Sequence, residues 1–189
     1  MCYELFSTPR FFSLLLSIDQ DIASAARQAG CQCGGALHRS AYPRKPRGIP
    51  AEARDGFISR LSFCCAACRK RTTPASVRFL GRRVYLGLVL ALVSQRAPSP
   101  RAIHPLLQAL SIPRRTLERW RQWWRKDFRL TPLWQLGRAW FLPPVVEREL
   151  PDSLRHRFET ADPGDRLAQV LLFLSPLSTR VLSTFTEVR

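Results

Sequence analysis

The spacing of apolar and polar residues changes character three times along the chain. Residues 8–29 carry apolar side chains at helical intervals, with Thr8 as a cap, Pro9 in the first turn and Gly30 just past the end. The spacing predicts one helix there. From 31 to 80 the period shortens. ALHRSAY (36–42) and FISRLSF (57–63) alternate as strands do. Arg54–Gly56 reads as a turn ahead of the second run. Three prolines in YPRKPRGIP (42–50) remove backbone donors, so that stretch is expected to be a basic loop rather than a strand or helix.

From Arg83 the helical period returns. RVYLGLVLALVSQR (83–96) is apolar nearly all round, which predicts a buried helix broken by APSP (97–100). RAIHPLLQAL (101–110) is a shorter helix whose start is blurred by Pro105. Ser111–Pro113 is a turn, with Ser111 as a candidate cap, and Arg114–Phe128 is a strong helix. Thr131–Pro132 opens a further segment, stopped by Pro143–Pro144. Short helices are expected at Asp152–Glu159 and Gly164–Leu174. The resulting fold class is α+β, mostly α: a small β module, a pair of helices joined by a turn, and further helices. The expected divisions are 1–30, 31–82, 83–129 and 130–189.

Charge sharpens this division. The 189 residues hold 30 Lys+Arg against 14 Asp+Glu, a net charge of +16. Residues 1–30 are near neutral and 130–189 exactly balance seven of each sign, so the excess lies between 31 and 129. Such an excess speaks of a polyanionic partner, nucleic acid before a membrane surface. Arginine far outnumbers lysine, which favours planar recognition of phosphate and guanine. No stretch reaches the roughly 18 apolar residues of a membrane span. FFSLLLSI (11–18) has one preceding cation nearby and no small-residue cleavage site after it, so a cytoplasmic protein is expected rather than a secreted one.

In a cytoplasm, clustered cysteines mean metal or catalysis more often than disulfides. Five of the six cysteines fall in two groups, GCQCGG (30–35) and FCCAACR (63–69). Cys65-Ala-Ala-Cys68 has the spacing of a zinc knuckle, and Cys31-Gln-Cys33 is one residue short of it. The expected ligands are Cys31, Cys33, Cys65 and Cys68, holding Zn. Cys64 in place of Cys65, and His38 in place of a first-knuckle thiolate, are the alternatives. Buried free cysteines fit poorly with the surrounding glycines and arginines. A redox pair would need a strand–helix unit of the thioredoxin kind, absent here. A ribbon folded around a metal needs little apolar core, leaving its surface free to be basic. Arg44, Lys45, Arg47, Arg69, Lys70 and Arg71 are the candidate phosphate contacts there.

On a helical wheel for 114–128, Leu117, Trp120, Trp124 and Phe128 share one stripe. Arg115, Arg119, Gln122 and Lys126 share the opposite one, without an acid. Arg matches guanine N7 and O6, and Gln matches adenine. Glu118 is placed to pair with Arg114 or Arg121, and Trp123 lies between the faces. The preceding helix and turn complete a helix-turn-helix pattern, whose second helix enters a major groove.

The segments CQCGGALHRSAYPRKPRG, SFCCAACRKRTTP, RFLGRRVYL and RRTLERWRQWW together resemble a family of short bacterial proteins associated with insertion sequences and transposases, over about residues 28–127. The resemblance implies a zinc ribbon followed by a helix-turn-helix, binding double-stranded DNA at element ends, with a transposase or a second copy of the chain as protein partner. A transposase also needs three carboxylates on a strand-rich domain. Residues 130–189 are too short and too helical for that, and Asp152, Asp162 and Asp165 read as solvated. The expectation is therefore a zinc-dependent DNA-binding protein of accessory or regulatory type, not an enzyme, nucleoid-associated, with no small-molecule substrate. The competing readings are a transcriptional regulator unrelated to transposition and a non-catalytic RNA- or protein-binding adaptor.

Overall fold

The computed structural model describes residues 9–45, 48–80, 83–84 and 100–179. The chain is mostly helical, with small antiparallel sheets, as the class α+β, mostly α, requires. Among the described residues no helix is long and apolar enough to cross a membrane.

Helix α1 spans Pro9–Ala29. It ends where Gly30, at φ +74°, donates its N–H to Arg27, a left-handed stop that glycine adopts without strain. Phe11, Phe12 and Leu15 are buried in the chain's main core beside Phe57 and Val77. Leu14 and Ile18 pack, partly buried, against the same core. Further along the same helix, Ala23 joins a second, smaller cluster with Leu37, Phe63 and Cys65. One helix therefore spans both the helical body and the cysteine module.

The two alternating runs do form strands, but each is split. Strand β1 (Leu37–Arg39) and strand β2 (Tyr42–Pro43) come from the first run. Strands β3 (Ser59–Arg60) and β4 (Phe63–Cys65) come from the second run and its continuation. β1 pairs with β4 in the register Leu37↔Cys65, and β2 with β3 in the register Tyr42↔Arg60. The result is one interrupted hairpin, bridged by the Ser40 N–H to the Ser62 carbonyl at 2.8 Å. Pro43 thus belongs to a strand, contrary to the expectation of loop throughout 42–50; with a single partner strand, it costs no second ladder. Arg54–Gly56 does not form a hairpin turn. It lies inside a 3-10 helix, Ala51–Phe57, which follows Pro50 and buries Phe57. Strand β5 (Arg71–Thr72) adds to the other edge of β4.

Strand β6 (Phe79–Leu80) pairs with β7 (Arg83–Val84). Arg83 and Val84 therefore close a hairpin instead of starting the expected helix, and the rest of that helix, 85–96, lies outside the described residues, as do Thr8 and Arg47.

Helix α2 runs Pro100–Ala109 with Pro105 inside it, and helix α3 runs Arg114–Arg125. The join is a helix stop. Ser111 sits at φ +53°, its N–H on the Gln108 carbonyl at 3.0 Å, and the Ile112 N–H reaches back to Leu107 at 2.8 Å. Leu107 and Ile112 share the core, the apolar contact that accompanies this hydrogen-bond pair. Ser111 therefore ends α2. It does not cap α3, whose cap position is Pro113, with no side-chain bond.

Helix α4 (Pro132–Gly137) is capped by the Thr131 hydroxyl. Short helix α5 covers only Asp152–Arg155, and α6 covers Pro163–Leu174, its first amides satisfied by Asp162. Asp162 is thus a cap, and Asp152 pairs with Arg155 at 2.8 Å. Aromatic rings tie these elements to α3. Trp124 meets Phe128 at 4.6 Å, Phe128 meets Trp134 at 5.2 Å, and Phe141 meets Phe173 at 5.4 Å. The chain of rings runs continuously past residue 130. Leu130, Leu136, Trp140 and Leu142 stay exposed on the same stretch.

Two cations of the basic segment are internal. Arg78 is buried and its Nε donates to Asp19 at 2.8 Å, while Asp19 also accepts from the Val77 N–H at 2.7 Å and the Ser76 hydroxyl. Arg78 further donates to the Gly56 carbonyl. Arg60 is buried too, donating to the Pro74 carbonyl at 2.6 Å. Burial pushes its pKa down, against the pull of Asp19.

Candidate metal centre and basic surface

The interrupted hairpin brings the two cysteine groups to one place. The sulfurs of Cys31, Cys33, Cys65 and Cys68 all lie within 4.8 Å of one another. Cys31 and Cys68, Cys31 and Cys33, and Cys33 and Cys65 each approach to 3.5 Å. Four sulfurs at about 2.3 Å from a tetrahedral ion stand roughly 3.8 Å apart. The spacing is that of a metal site, and the donor set is the one such sites use.

Cys64 and His38 do not join it. They face each other across β1 and β4 in the register His38↔Cys64. Alternation along β4 turns Cys65 into the cluster and Cys64 to the other face, where its thiol lies 3.5 Å from the Arg69 carbonyl. The choice between Cys64 and Cys65 falls to Cys65.

The two knuckles match each other despite their unequal spacing. In each, the residue after the second cysteine is left-handed: Gly34 at φ +78° and Arg69 at φ +60°. In each, the amide two residues past that cysteine donates to its sulfur: Gly35 to Cys33, and Lys70 to Cys68. Gly35 must also be small. A β-carbon there would stand 2.6 Å from the Cys65 sulfur, closer than packing allows.

These donors set the thiols apart. The Gly35 N–H, then the thiols of Cys68, Cys65 and Cys31, pull Cys33 down to about 6. At Cys68 the Lys70 N–H also pulls downward, but Cys33, burial and the other thiols outweigh it and push the group up to about 12. One thiolate therefore suppresses the next. Four thiolates at this spacing would repel one another strongly, and a bound cation would offset that repulsion.

The surface around the cluster carries the expected cations, in unequal states. Lys45, Arg69 and Lys70 are exposed. Arg44 is half-buried, its guanidinium 4.4 Å from the centre of the Tyr42 ring and its Nη2 donating to the Tyr42 hydroxyl at 3.1 Å. Arg71 is held by the Ser40 carbonyl at 2.7 Å and by the hydroxyls of Ser62 and Ser40, both at 3.1 Å. Sequence reasoning singled out neither Tyr42 nor the two serines. Ser40 and Ser62 lie inside the two alternating runs, each between the two short strands into which its run is split.

On α3, Leu117, Trp120 and Trp124 are buried, with Phe128 beyond the helix end. Arg115, Arg119, Gln122 and Lys126 are exposed. Glu118 pairs with Arg114 at 3.1 Å. Arg119 reaches Thr116 at 3.2 Å, and among the described residues no carboxylate pairs with Arg115 or Arg119. Trp123 packs edge-on to Trp124 at 5.0 Å, a packing role.

Comparison of the chain with protein-family models, with characterised proteins and with solved structures returns no match.

Proposed function

We propose that the chain is a zinc-dependent DNA-binding protein, in which the four-cysteine cluster braces a basic module and α3 is offered to duplex DNA. The observation that carries this reading is the outer face of α3. Arg115, Arg119 and Gln122, with Lys126 at the helix end, stand exposed and, among the described residues, unpaired with acids, on a helix locked in place by three buried side chains behind them. A solvated surface helix normally mixes charge signs; a groove-reading one does not. The tight stop at Ser111 keeps the connection between α2 and α3 short, which is compatible with a helix-turn-helix.

Zinc is the ion of choice for four thiolates in a closed tetrahedron. Cys31, Cys33, Cys65 and Cys68 would hold it, and it would supply folding energy to a module whose own core is only Ala23, Leu37, Phe63 and Cys65. The role is structural, with DNA binding carried by the arginines. An accessory or regulatory part in transposition rests on the resemblance of the cysteine and Arg-Thr-Leu-Glu-Arg-Trp segments.

Selection of sites from random duplexes by the zinc-loaded chain tests the proposal. Arg119→Ala is expected to weaken binding to a selected site by about tenfold or more, and binding to random duplex by about threefold or less. Equal losses on both would reduce α3 to a phosphate clamp. Tighter binding to RNA than to any duplex would favour an RNA-binding adaptor instead.

A further inference from the structure

Beside the cysteine cluster lies a groove of about 1180 Å³, lined by Tyr42, Arg44, Lys70, Arg71, Thr72 and Thr73, among others. Cys31, Cys33 and Cys68 line it too, and among the described residues no carboxylate does. We infer that this groove tracks the phosphodiester backbone of a nucleic acid strand, a second contact separate from the outer face of α3. The inference rests on the DNA-binding reading above and names the part of the basic module that does the work.

Arg71 is the central argument. A surface arginine kept only for solubility samples many rotamers. This one is exposed, yet fixed by three hydrogen bonds from its Nη1 and Nη2 atoms to Ser40 and Ser62. A guanidinium has five N–H donors. Three are spent on holding the side chain, which leaves the Nε–H and one Nη2–H to face a ligand. The ordering that binding usually costs is already built in. The Arg71 guanidinium also lies 5.5 Å from the Tyr42 ring centre, and Arg44 lies 4.4 Å from the same ring. One aromatic side chain thus organises two cations, while Lys70 adds a third on the adjoining turn. Fixed planar donors with threonine hydroxyls beside them suit phosphate oxygens.

Gly48, further along the chain from Arg44, donates its N–H to the Leu110 carbonyl at the end of α2, a direct contact between that segment and the helix pair. The rival explanation is internal. Four thiolates around a divalent ion leave a charge of about −2, which nearby cations would offset without binding anything.

The test uses the full zinc-loaded chain, fluorescence anisotropy, and two probes: a random-sequence duplex and a single strand of the same length. Lys70→Gln and Arg44→Gln are each compared with Arg54→Gln, whose side chain is exposed but does not line the groove. Zinc content is measured for every variant. Each groove variant is expected to lose about three- to tenfold in affinity at low salt and to lower the salt slope by about one, with zinc retained, while Arg54→Gln changes less. Loss on the duplex, or on the single strand, tells which source of phosphate the groove takes. Unchanged affinity and slope for both groove variants, with the unsubstituted chain binding normally, would overturn the groove and leave the α3 reading standing. Failure of the unsubstituted chain to bind either probe would overturn both.

Discussion

The backbone N–H of Gly48 donates to the carbonyl of Leu110 at 3.1 Å. This bond joins the basic loop of the cysteine module to the turn between α2 and α3. Both ends sit on left-handed backbone: Gly48 at φ +77°, and Ser111, next to Leu110, at φ +53°. Ile49 follows into the core beside Leu110 and Ile112. The end of the basic loop and the turn between α2 and α3 therefore share a hydrogen bond and one apolar core.

Substitutions at these two positions should act in opposite directions. Gly48→Ala forces a β-carbon into left-handed backbone, at a cost of about 1 kcal/mol or more. Ser111→Gly removes the same strain from the helix stop and should stabilise by up to about 1 kcal/mol. Chemical denaturation of both variants checks the pair. Stabilisation by Gly48→Ala would mean that the loop is not anchored as described.

Asp19 and Arg78 form an ion pair in which both side chains are almost wholly buried, at 3% and 1% exposure. Removing one charge leaves the other stranded, so Asp19→Asn is expected to cost about 3 kcal/mol. Asp19→Asn combined with Arg78→Met should cost at least about 1 kcal/mol less than the two single losses added. Strict additivity in denaturation experiments would show that the two groups do not interact.

Gly35 and Gly34 are neighbours with different demands. A β-carbon at Gly35 collides with the Cys65 sulfur and with Ala67, whereas one at Gly34 meets nothing within 4 Å. Gly35→Ala should therefore weaken metal retention by about tenfold or more against a chromogenic chelator. Gly34→Ala, which strains only its own φ, should weaken it by about threefold to tenfold. Cys64→Ser should leave retention unchanged. The opposite ranking of the two glycines would contradict the described geometry.

Glu147 accepts from the Trp134 indole at 3.1 Å and pairs with Arg129 at 2.7 Å. These two partners, the indole first, hold its carboxyl below the ordinary range. A carboxyl with a lower pKa when folded than when unfolded stabilises the fold at neutral pH. That contribution fades as pH falls through its folded-state value. The chain should thus lose stability as pH falls below the ordinary glutamate pKa of about 4.3, and Glu147→Gln should flatten part of that slope while lowering stability at pH 7. An identical pH profile for the variant would remove Glu147 from the account.

Several of these features were legible in the sequence and several were not, for physical reasons. The buried stripe Leu117, Trp120 and Trp124 follows directly from helical spacing, which local residues alone determine. The four cysteines were legible because their chemistry restricts them to few arrangements, although Cys65 over Cys64 needed the strand alternation of β4. The split of each alternating run was not visible, because Ser40 and Ser62 break the ladder by pairing with each other across the hairpin. The burial of Arg60 and Arg78 was not visible either: Arg78 is held by Asp19, 59 residues away along the chain, and Arg60 by the Pro74 carbonyl, contacts that only the fold creates. Ser111 looked like a cap because serine favours caps; its left-handed backbone is set by the Leu107–Ile112 contact.

The central claim is that one metal ion joins Cys31, Cys33, Cys65 and Cys68. X-ray absorption at the metal edge of the purified chain, together with metal analysis, tests it most directly. One zinc per chain is expected, surrounded by four sulfurs at about 2.3 Å, in the unsubstituted chain and in Cys64→Ser alike. A chain folded without stoichiometric metal, or an ion with nitrogen or oxygen in place of any of the four sulfurs, would contradict it.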